Sequence, residues 1–346
     1  MLDMEELIAR GQESGASDIH IVCGLPVKCR VDGSIRSLTT EPLSHEDCEV
    51  YARALAGDEY AAMERIGELD LSRSFLCGAR TRINLFRQRG AVSAAIRILA
   101  DHIPELEELE LPPVVSEFPD YRSGIVLVTG ETGSGKSTTL ATMIDRINHT
   151  RNAHIVTIED PVEFVHRSDR CIVNQRQIGR DAPSFNNALV AALRQDPDVI
   201  LVGEIRDLET IRTALQAAET GHLVLTTLHA GDCAGAIERL VGVFPADEQA
   251  SVRQQLALVL RGIFAQHLVR RADGDGRVPV CELLVNNPAI SNFIVTGRSQ
   301  QVYSAMEVGG PYGMCTIDQS LNTLLDAGLI TVEAARALSK NPQQYG

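Results

Sequence analysis

The sequence contains no apolar run that approaches the roughly 18–20 residues needed to cross a bilayer. Residues 1–18 carry acidic side chains and lack the apolar core of a secretory signal. The eight cysteines include no Cys-x-x-Cys pair, which disfavours a paired-ligand zinc site and a dense disulfide framework. We therefore expect a cytoplasmic protein with reduced, mostly buried thiols.

Aromatic residues are also scarce, at 4% of the chain, and basic residues are outnumbered. Lys and Arg total 32 against 46 Asp and Glu, which gives a net charge of −14. An acidic protein repels nucleic acid and anionic lipid, and few aromatic rings are available to stack on bases. We expect no nucleic-acid partner.

The chain is long enough, at 346 residues, for two or three domains of ordinary globular composition. Residues 1–100 are typical of a small α+β unit, and Ser44 and Gly57 are typical of the start and end of one helix. Residues 101–120 concentrate acids and four prolines, which predicts an interdomain linker. The predicted elements of the first unit are a helix at 3–14 and strands at 17–22, 26–33, 69–76, 80–86 and 91–98.

The hydrophobic pattern is different in residues 121–346, where near-continuous apolar strands alternate with helical stretches. Such strands are typical of a parallel sheet that is buried on both faces, so the fold class is α/β. Two helical regions are expected towards the end, at 249–271 and at 316–339, the latter broken at Gly328. The predicted strands are 124–130, 154–160, 198–204 and 222–228.

The strongest motif is GETGSGKST at 130–138, which fits the P-loop pattern directly after an apolar strand. Glycines let backbone N–H groups surround phosphate, and the following helix directs its positive N-terminus at the same anion. We expect Lys136 to hold the β- and γ-phosphates of ATP and Ser137 to bind Mg²⁺. The expected nucleotide-binding residues are Gly130, Thr132, Gly133, Ser134, Gly135, Lys136, Ser137 and Thr138.

Acidic residues follow the next two predicted strands. Glu159, Asp160 and Glu163 come after 154–158, and we expect them, with Ser137, to hold Mg²⁺, partly through water, or to position the nucleophile. A solvated acidic turn is the alternative. Glu204 follows four apolar residues and Gly203, which stands where many NTPases have an Asp. We expect Glu204 to act as the general base, and a purely structural carboxylate is the alternative.

Histidines and arginines complete the candidate set. His222 and His229 flank the strand 222–228, where an imidazole can sense a γ-phosphate or couple sites across subunits, and a purely structural role is the alternative. In the first unit, arginines cluster within 80–97 although the chain is acidic overall. NTPases often take an arginine from another domain or subunit to neutralise transition-state charge, and a solvated basic face is the alternative.

Together these blocks resemble the type II/IV secretion ATPase superfamily and, within it, the type IV pilus retraction ATPases. The similarity runs from GASDIHI at 15–21 to GMCTIDQSLNTLL at 313–325, and LRQDPDVILVGEIRD at 193–207 is its most specific part. The resemblance implies a PAS-like N-terminal domain at 1–100 and a RecA-like ATPase domain at 121–346. A C-terminal helical region from about 285 and assembly as a homohexamer are implied as well.

The resemblance also implies residue roles. Arg82 and Arg97 have the spacing of the family's paired arginine fingers, and Glu204 matches its catalytic glutamate. The family's Asp box falls on 158–164, with Glu163 among its catalytic residues, and its His box contains His222 and His229.

The implied function is ATP hydrolysis with Mg²⁺ that powers pilus retraction at the cytoplasmic face of the inner membrane, through a membrane platform protein. The extra N-terminal domain and four-cysteine motif of assembly-type relatives are missing, which favours retraction. Val295 stands where retraction members carry an arginine, so pilus assembly, type II secretion and an accessory paralogue stay open. A nucleic-acid translocase and a non-hydrolysing, nucleotide-regulated scaffold are more distant alternatives.

Overall fold

The strands of the chain lie in two separate sheets. The computed structural model describes residues 2–31, 33–99, 102–274 and 276–345. These residues form two compact units, Met1–His102 and Ile103–Gly346. The predicted domain boundary between residues 100 and 101 lies outside the described residues.

The first unit is a six-stranded antiparallel sheet with the strand order β3-β2-β1-β6-β5-β4, accompanied by three helices. Burial alternates along Asp18–Ile21 and along the first half of Arg80–Gln88, and Ile19, Ile83 and Ile96 share one fully buried cross-strand row. The predicted helix after Ser44 and the five predicted strands are confirmed, whereas the strand Ser34–Ser37 was not predicted. The elements are α1 (Met4–Glu13), β1 (Asp18–Ile21), β2 (Lys28–Val31), β3 (Ser34–Ser37), α2 (His45–Ala56), α3 (Tyr60–Ile66), β4 (Glu68–Ser74), β5 (Arg80–Gln88) and β6 (Ala91–Leu99).

The second unit is built on a seven-stranded sheet with the order β13-β12-β7-β11-β10-β8-β9. All neighbouring strands are parallel except β12 and β13, which confirms the predicted α/β class with a mainly parallel sheet. Its strands are β7 (Gly124–Thr129), β8 (His154–Glu159), β9 (Ile172–Gln177), β10 (Val199–Val202), β11 (Leu223–Leu228), β12 (Leu260–Arg270) and β13 (Arg277–Val285). Its helices are α4 (Lys136–Thr150), α5 (Phe185–Ala192), α6 (Leu208–Glu219), α7 (Cys233–Gly242), α8 (Gln249–Val259), α9 (Pro288–Val295), α10 (Ser299–Glu307), α11 (Ile317–Asp326) and α12 (Val332–Leu338).

One predicted helix is wrong over half of its length. Residues 249–271 were expected to be helical, but α8 ends at Val259 and residues 260–270 form the strand β12. This strand pairs with β7 on one side and β13 on the other, and Ile263, Phe264 and Ala265 are fully buried. An apolar run buried on both faces has no periodicity that separates a strand from a helix, so its pairing partners decide.

Apolar side chains cover both faces of this sheet and extend beneath the C-terminal helices α11 and α12. Residues 103–120, within the predicted linker, contain two 3₁₀ segments and contribute the buried side chains Leu106, Val115 and Phe118 to the second unit's core. The break between the helices at Gly328 is confirmed. Among the described residues, no helix combines the length and the apolar character needed to cross a membrane.

Candidate functional site

Four neighbouring parallel strands bring the main candidates to one edge of the sheet. In the order β7-β11-β10-β8, their carboxyl ends lead into the P-loop, His229, Glu204 and Glu159. The carboxyl edge of an open parallel sheet is where such folds bind ligands. The sequence candidates from four separate segments therefore converge because the strands are parallel and adjacent.

The P-loop glycines are required by backbone geometry. Gly130, Gly133 and Gly135 all have positive φ, at +142°, +82° and +94°. A Cβ at Gly130 would collide with the carbonyl oxygen of Gln266, and one at Gly135 would lie 2.8 Å from the Gln266 side-chain nitrogen. Only glycine fits such positions, so the loop can wrap closely around a phosphate.

The helix that follows the loop begins without a side-chain cap. Its N-cap is Gly135, so the N–H groups of its first residues, Lys136, Ser137 and Thr138, lack a capping side chain. Ser134 Oγ is also buried and has no hydrogen-bond partner among the described residues. With the exposed Thr132 and Ser137, these donors form an anion-binding concavity at the positive end of α4.

Lys136 is buried beneath the loop. Its Nζ donates to the carbonyl oxygens of Gly130 and Glu131, at 3.0 and 2.6 Å. Burial lowers the pKa of Lys136, although Glu163 and Glu131 act in the opposite direction. Desolvation disfavours the charged ammonium, so an anion placed beside it gains a stronger interaction than in water.

Gln266 is a supporting residue that sequence reasoning missed. Its Oε1 accepts a hydrogen bond of 2.8 Å from Thr139 Oγ1, on the first turn of α4, and both side chains are buried. The partners are 127 residues apart in sequence. Only the pairing of β12 with β7 brings them together, and β12 had been expected to be helical.

Glu204 and His229 meet at the end of β10 and β11. His229 Nε2 lies 3.6 Å from Glu204 Oε2, and that oxygen also accepts a hydrogen bond of 2.6 Å from Arg206. Burial lowers the pKa of His229, and the nearby cations of Lys136 and Arg206 act in the same direction. The imidazole is therefore neutral near pH 7, able both to donate and to accept a hydrogen bond.

The three acids after β8 have different surroundings. Glu159 is partly buried, and its Oε1 accepts from Thr157 Oγ1 at 2.6 Å and from Gln175 Nε2 at 3.2 Å. Burial raises the pKa of Glu159, which makes it a poorer ligand for a cation than an exposed carboxylate. Asp160 is exposed and Glu163 partly buried, and the charge of Glu163 raises the pKa of Lys136.

His222 is not brought to this edge. It precedes β11, whereas His229 follows it, so roughly 20 Å of strand separates the two histidines. The His222 Nδ1 lies 2.9 Å from the Ala217 carbonyl oxygen at the end of α6. Arg82 and Arg97 belong to the first unit, where β5 and β6 place them opposite each other on the polar face of the sheet.

Known proteins show to which family the chain belongs. Residues 93–308 match the model of the Type II/IV secretion system protein family. The chain is 46% identical to the Type IV pilus retractation ATPase PilT of Pseudomonas aeruginosa, over 99% of this chain and all of that protein. It is 44% identical to a twitching motility protein of Neisseria gonorrhoeae, over 91% of this chain and 84% of that one.

The chain belongs to this family. A crystal structure of the pilus retraction motor PilT with bound ADP matches the fold with a TM-score of 0.93, at 46% identity and 99% coverage of both chains. The resemblance to the secretion ATPases that the motifs indicated is therefore confirmed, as is the predicted α/β fold. The chain is an ATPase of the Type II/IV secretion system protein family.

Proposed function

We propose that this protein is a motor that hydrolyses ATP to retract type IV pili, as a homohexamer at the cytoplasmic face of the inner membrane. The convergence of the P-loop, Glu204 and His229 at one sheet edge carries the proposal. The chain is 46% identical over its full length to a protein named as a pilus retraction ATPase, which supports retraction rather than assembly. A platform protein of the pilus machine is the proposed mechanical partner.

ATP binding is assigned to residues 130–138. The backbone N–H groups of the loop and of the first turn of α4 surround the phosphates. On binding, the ammonium group of Lys136 exchanges its hydrogen bonds to loop carbonyls for contacts with phosphate oxygens. Ser134 Oγ, which is buried and has no hydrogen-bond partner in the described part of the chain, is positioned to donate to the same anion. Thr132, Gly133 and Thr138 belong to the same binding surface.

Mg²⁺ fits the residues at this edge. Ser137, Asp160 and Glu163 offer the oxygen ligands that this cation prefers, partly through water, while Glu159 orders the turn through Thr157 and Gln175. Among the described residues no cluster of three His, Cys, Asp or Glu side chains forms a metal site. When bound, the cation would neutralise charge on the transferred phosphoryl group.

Hydrolysis is assigned to Glu204, which accepts a proton from the attacking water. Arg206 donates to Glu204 Oε2, and His229 Nε2 lies 3.6 Å from the same oxygen, so neutral His229 is available to hydrogen-bond the γ-phosphate or the water. Arg82 and Arg97 are proposed to neutralise transition-state charge. His222 is assigned a structural role in its own chain, since its imidazole is directed at the end of α6.

The test is ATP turnover by the purified full-length protein with Mg²⁺, compared with two variants. Lys136→Ala removes the phosphate-binding cation, and Glu204→Gln keeps the shape of the proposed base without its charge. We expect Glu204→Gln to bind ATP with near-normal affinity and to lose about a hundredfold or more in kcat. Turnover of the unmodified protein no faster than that of Lys136→Ala would contradict the proposal.

A further inference from the structure

The last lysine of the chain lies in a setting unusual for a surface residue. The sequence has only three lysines, Lys28, Lys136 and Lys340, among its 32 Lys and Arg residues. Lys340 follows α12, and contacts with three neighbouring side chains fix the position of its ammonium group. Its Nζ lies 2.9 Å from Asp232 Oδ2, 3.1 Å from Glu282 Oε2 and 4.3 Å from the centre of the Tyr303 ring.

Glu282 explains why a cation is needed there. Its side chain is 1% exposed on the central part of β13, and Oε1 accepts a hydrogen bond of 2.8 Å from the Cys233 backbone N–H. A buried carboxylate requires a charge partner, because transfer of an unpaired charge from water into a protein interior is very unfavourable. Lys340 supplies that partner, and the Tyr303 ring covers the ammonium.

The ammonium keeps its proton. Burial by itself lowers the pKa of Lys340, but the charges of Glu282 and Asp232 outweigh burial and raise it above its ordinary value. The Lys340 ammonium is therefore charged throughout the physiological pH range.

Asp232 connects this ion pair to the nucleotide edge. It is the N-cap of α7, where Oδ1 accepts from the Gly235 N–H at 2.6 Å while Oδ2 faces Lys340. Asp232 lies three residues after His229, whose imidazole is beside Glu204. The short loop 229–232 is thus fixed at its start by β11 and at its end by the capped helix and Lys340.

The same lysine is joined to the C-terminal helices. Its backbone N–H donates to Asp318 Oδ1 at 3.2 Å, and Ser339 Oγ donates to that oxygen at 2.6 Å. Tyr303 OH donates to Asp318 Oδ2 at 3.1 Å. Asp318 belongs to α11 and Tyr303 to α10, so both helices are linked to loop 229–232 through one residue.

We propose that Lys340 is a positioning residue that ties the C-terminal helices to loop 229–232 and so holds His229 beside Glu204. The inference rests on the proposed ATPase function for its effect on catalysis. Movement of the C-terminal helices is then transmitted to the catalytic edge through two oxygen atoms, one on Asp232 and one on Glu282.

The experiment uses the full chain and four variants. Lys340→Met keeps the aliphatic stem and removes the charge, Lys340→Arg keeps the charge, and Lys28→Met is the matched control in the first unit. The double variant Lys340→Met/Glu282→Gln removes both charges and retains an acceptor for Cys233, which separates loss of the tie from the penalty of an unpaired buried carboxylate. Each protein is studied by hydrogen exchange of the amides in 228–236 and by steady-state ATP kinetics.

We expect faster exchange in 228–236 for both proteins that carry Lys340→Met, with the control unchanged. We expect kcat to fall about tenfold in both, with KM for ATP within about twofold, and Lys340→Arg to recover most of the loss. Normal exchange and normal kcat in the double variant would overturn the proposal. Absence of turnover in the unmodified chain would instead contradict the proposed function, and the exchange measurement would still decide whether Lys340 holds the loop.

Discussion

Arg82 and Arg97 are directly opposed on the antiparallel strands β5 and β6. A two-residue turn, Arg89 and Gly90, sets this register, and both residues have positive φ, at 48° and 80°. Such turns match the twist of a hairpin, so every residue before the turn meets a fixed partner after it. The fifteen-residue spacing of the two arginines is therefore what brings them together on the polar face.

The two arginines differ in their partners. Arg97 Nε lies 3.0 Å from Asp18 Oδ1 on β1, whereas Arg82 has no ion-pair partner among the described residues. Burial opposes the ionisation of Asp18, but hydrogen bonds from Ser17 and Arg97 outweigh it, so the pKa of Asp18 is lowered. Asp18 thus holds Arg97 in place while leaving Arg82 available.

The effect of Asp18→Asn on stability depends on pH. Because the folded-state pKa of Asp18 is below its ordinary value of 3.8, its stabilising contribution is complete above that value and is lost as the pH falls through the folded-state pKa. We expect a lower unfolding temperature for Asp18→Asn at pH 7 and a difference that shrinks below about pH 4. Thermal unfolding across this range is the measurement, and a difference independent of pH would contradict the pairing.

The hairpin turn offers a stabilising substitution. Arg89 has the left-handed backbone that asparagine tolerates better than other side-chain-bearing residues, and Asn-Gly is favoured in such turns. We expect Arg89→Asn to raise the free energy of unfolding by about 0.5–1 kcal/mol. Gln88→Asn, on the adjacent strand, is the control and gains nothing. Denaturant titration checks both, and an unchanged or lower stability of Arg89→Asn would refute the turn argument.

The backbone geometry of the P-loop glycines predicts that substituting them weakens ATP binding. At Gly130 a methyl group would collide with the Gln266 carbonyl oxygen and lie 2.6 Å from Ser134 Oγ. We expect Gly130→Ala to weaken ATP binding by about tenfold or more, because the loop must shift. Gly242→Ala is the matched control, since no described residue lies within 4 Å of a methyl group there. Equal affinities in a nucleotide titration would show that the loop geometry does not matter.

Local motifs explain what could be predicted from the sequence. The P-loop directly follows its strand and Glu204 closely follows another, so turn chemistry and hydrophobicity suffice to identify each of them. Contacts between segments far apart in sequence were missed: Gln266 on β12 accepts from Thr139 on α4, and Lys340, after α12, pairs with Glu282 on β13. His222 was grouped with His229 because both flank one strand, but the two ends of a strand lie at opposite edges of the sheet.

Val295→Arg tests whether this position in the C-terminal region affects ATP hydrolysis. It is the last residue of α9 and is 40% exposed, so an arginine fits there without entering the core. We expect Val295→Arg to leave kcat for ATP within about twofold and stability within about 0.5 kcal/mol. The check is steady-state turnover beside thermal unfolding, and a large fall in kcat at normal stability would place this position in the hydrolysis step.

The most direct test of the account is a count of surface pili and of twitching in a strain that lacks this gene. The parent is one comparison, and complementation with the unmodified gene and with Glu204→Gln gives the others. We predict excess pili without twitching in the deletion strain, with rescue by the unmodified gene and none by Glu204→Gln. Loss of surface pili on deletion would contradict the account, because it would mean that this ATPase drives assembly.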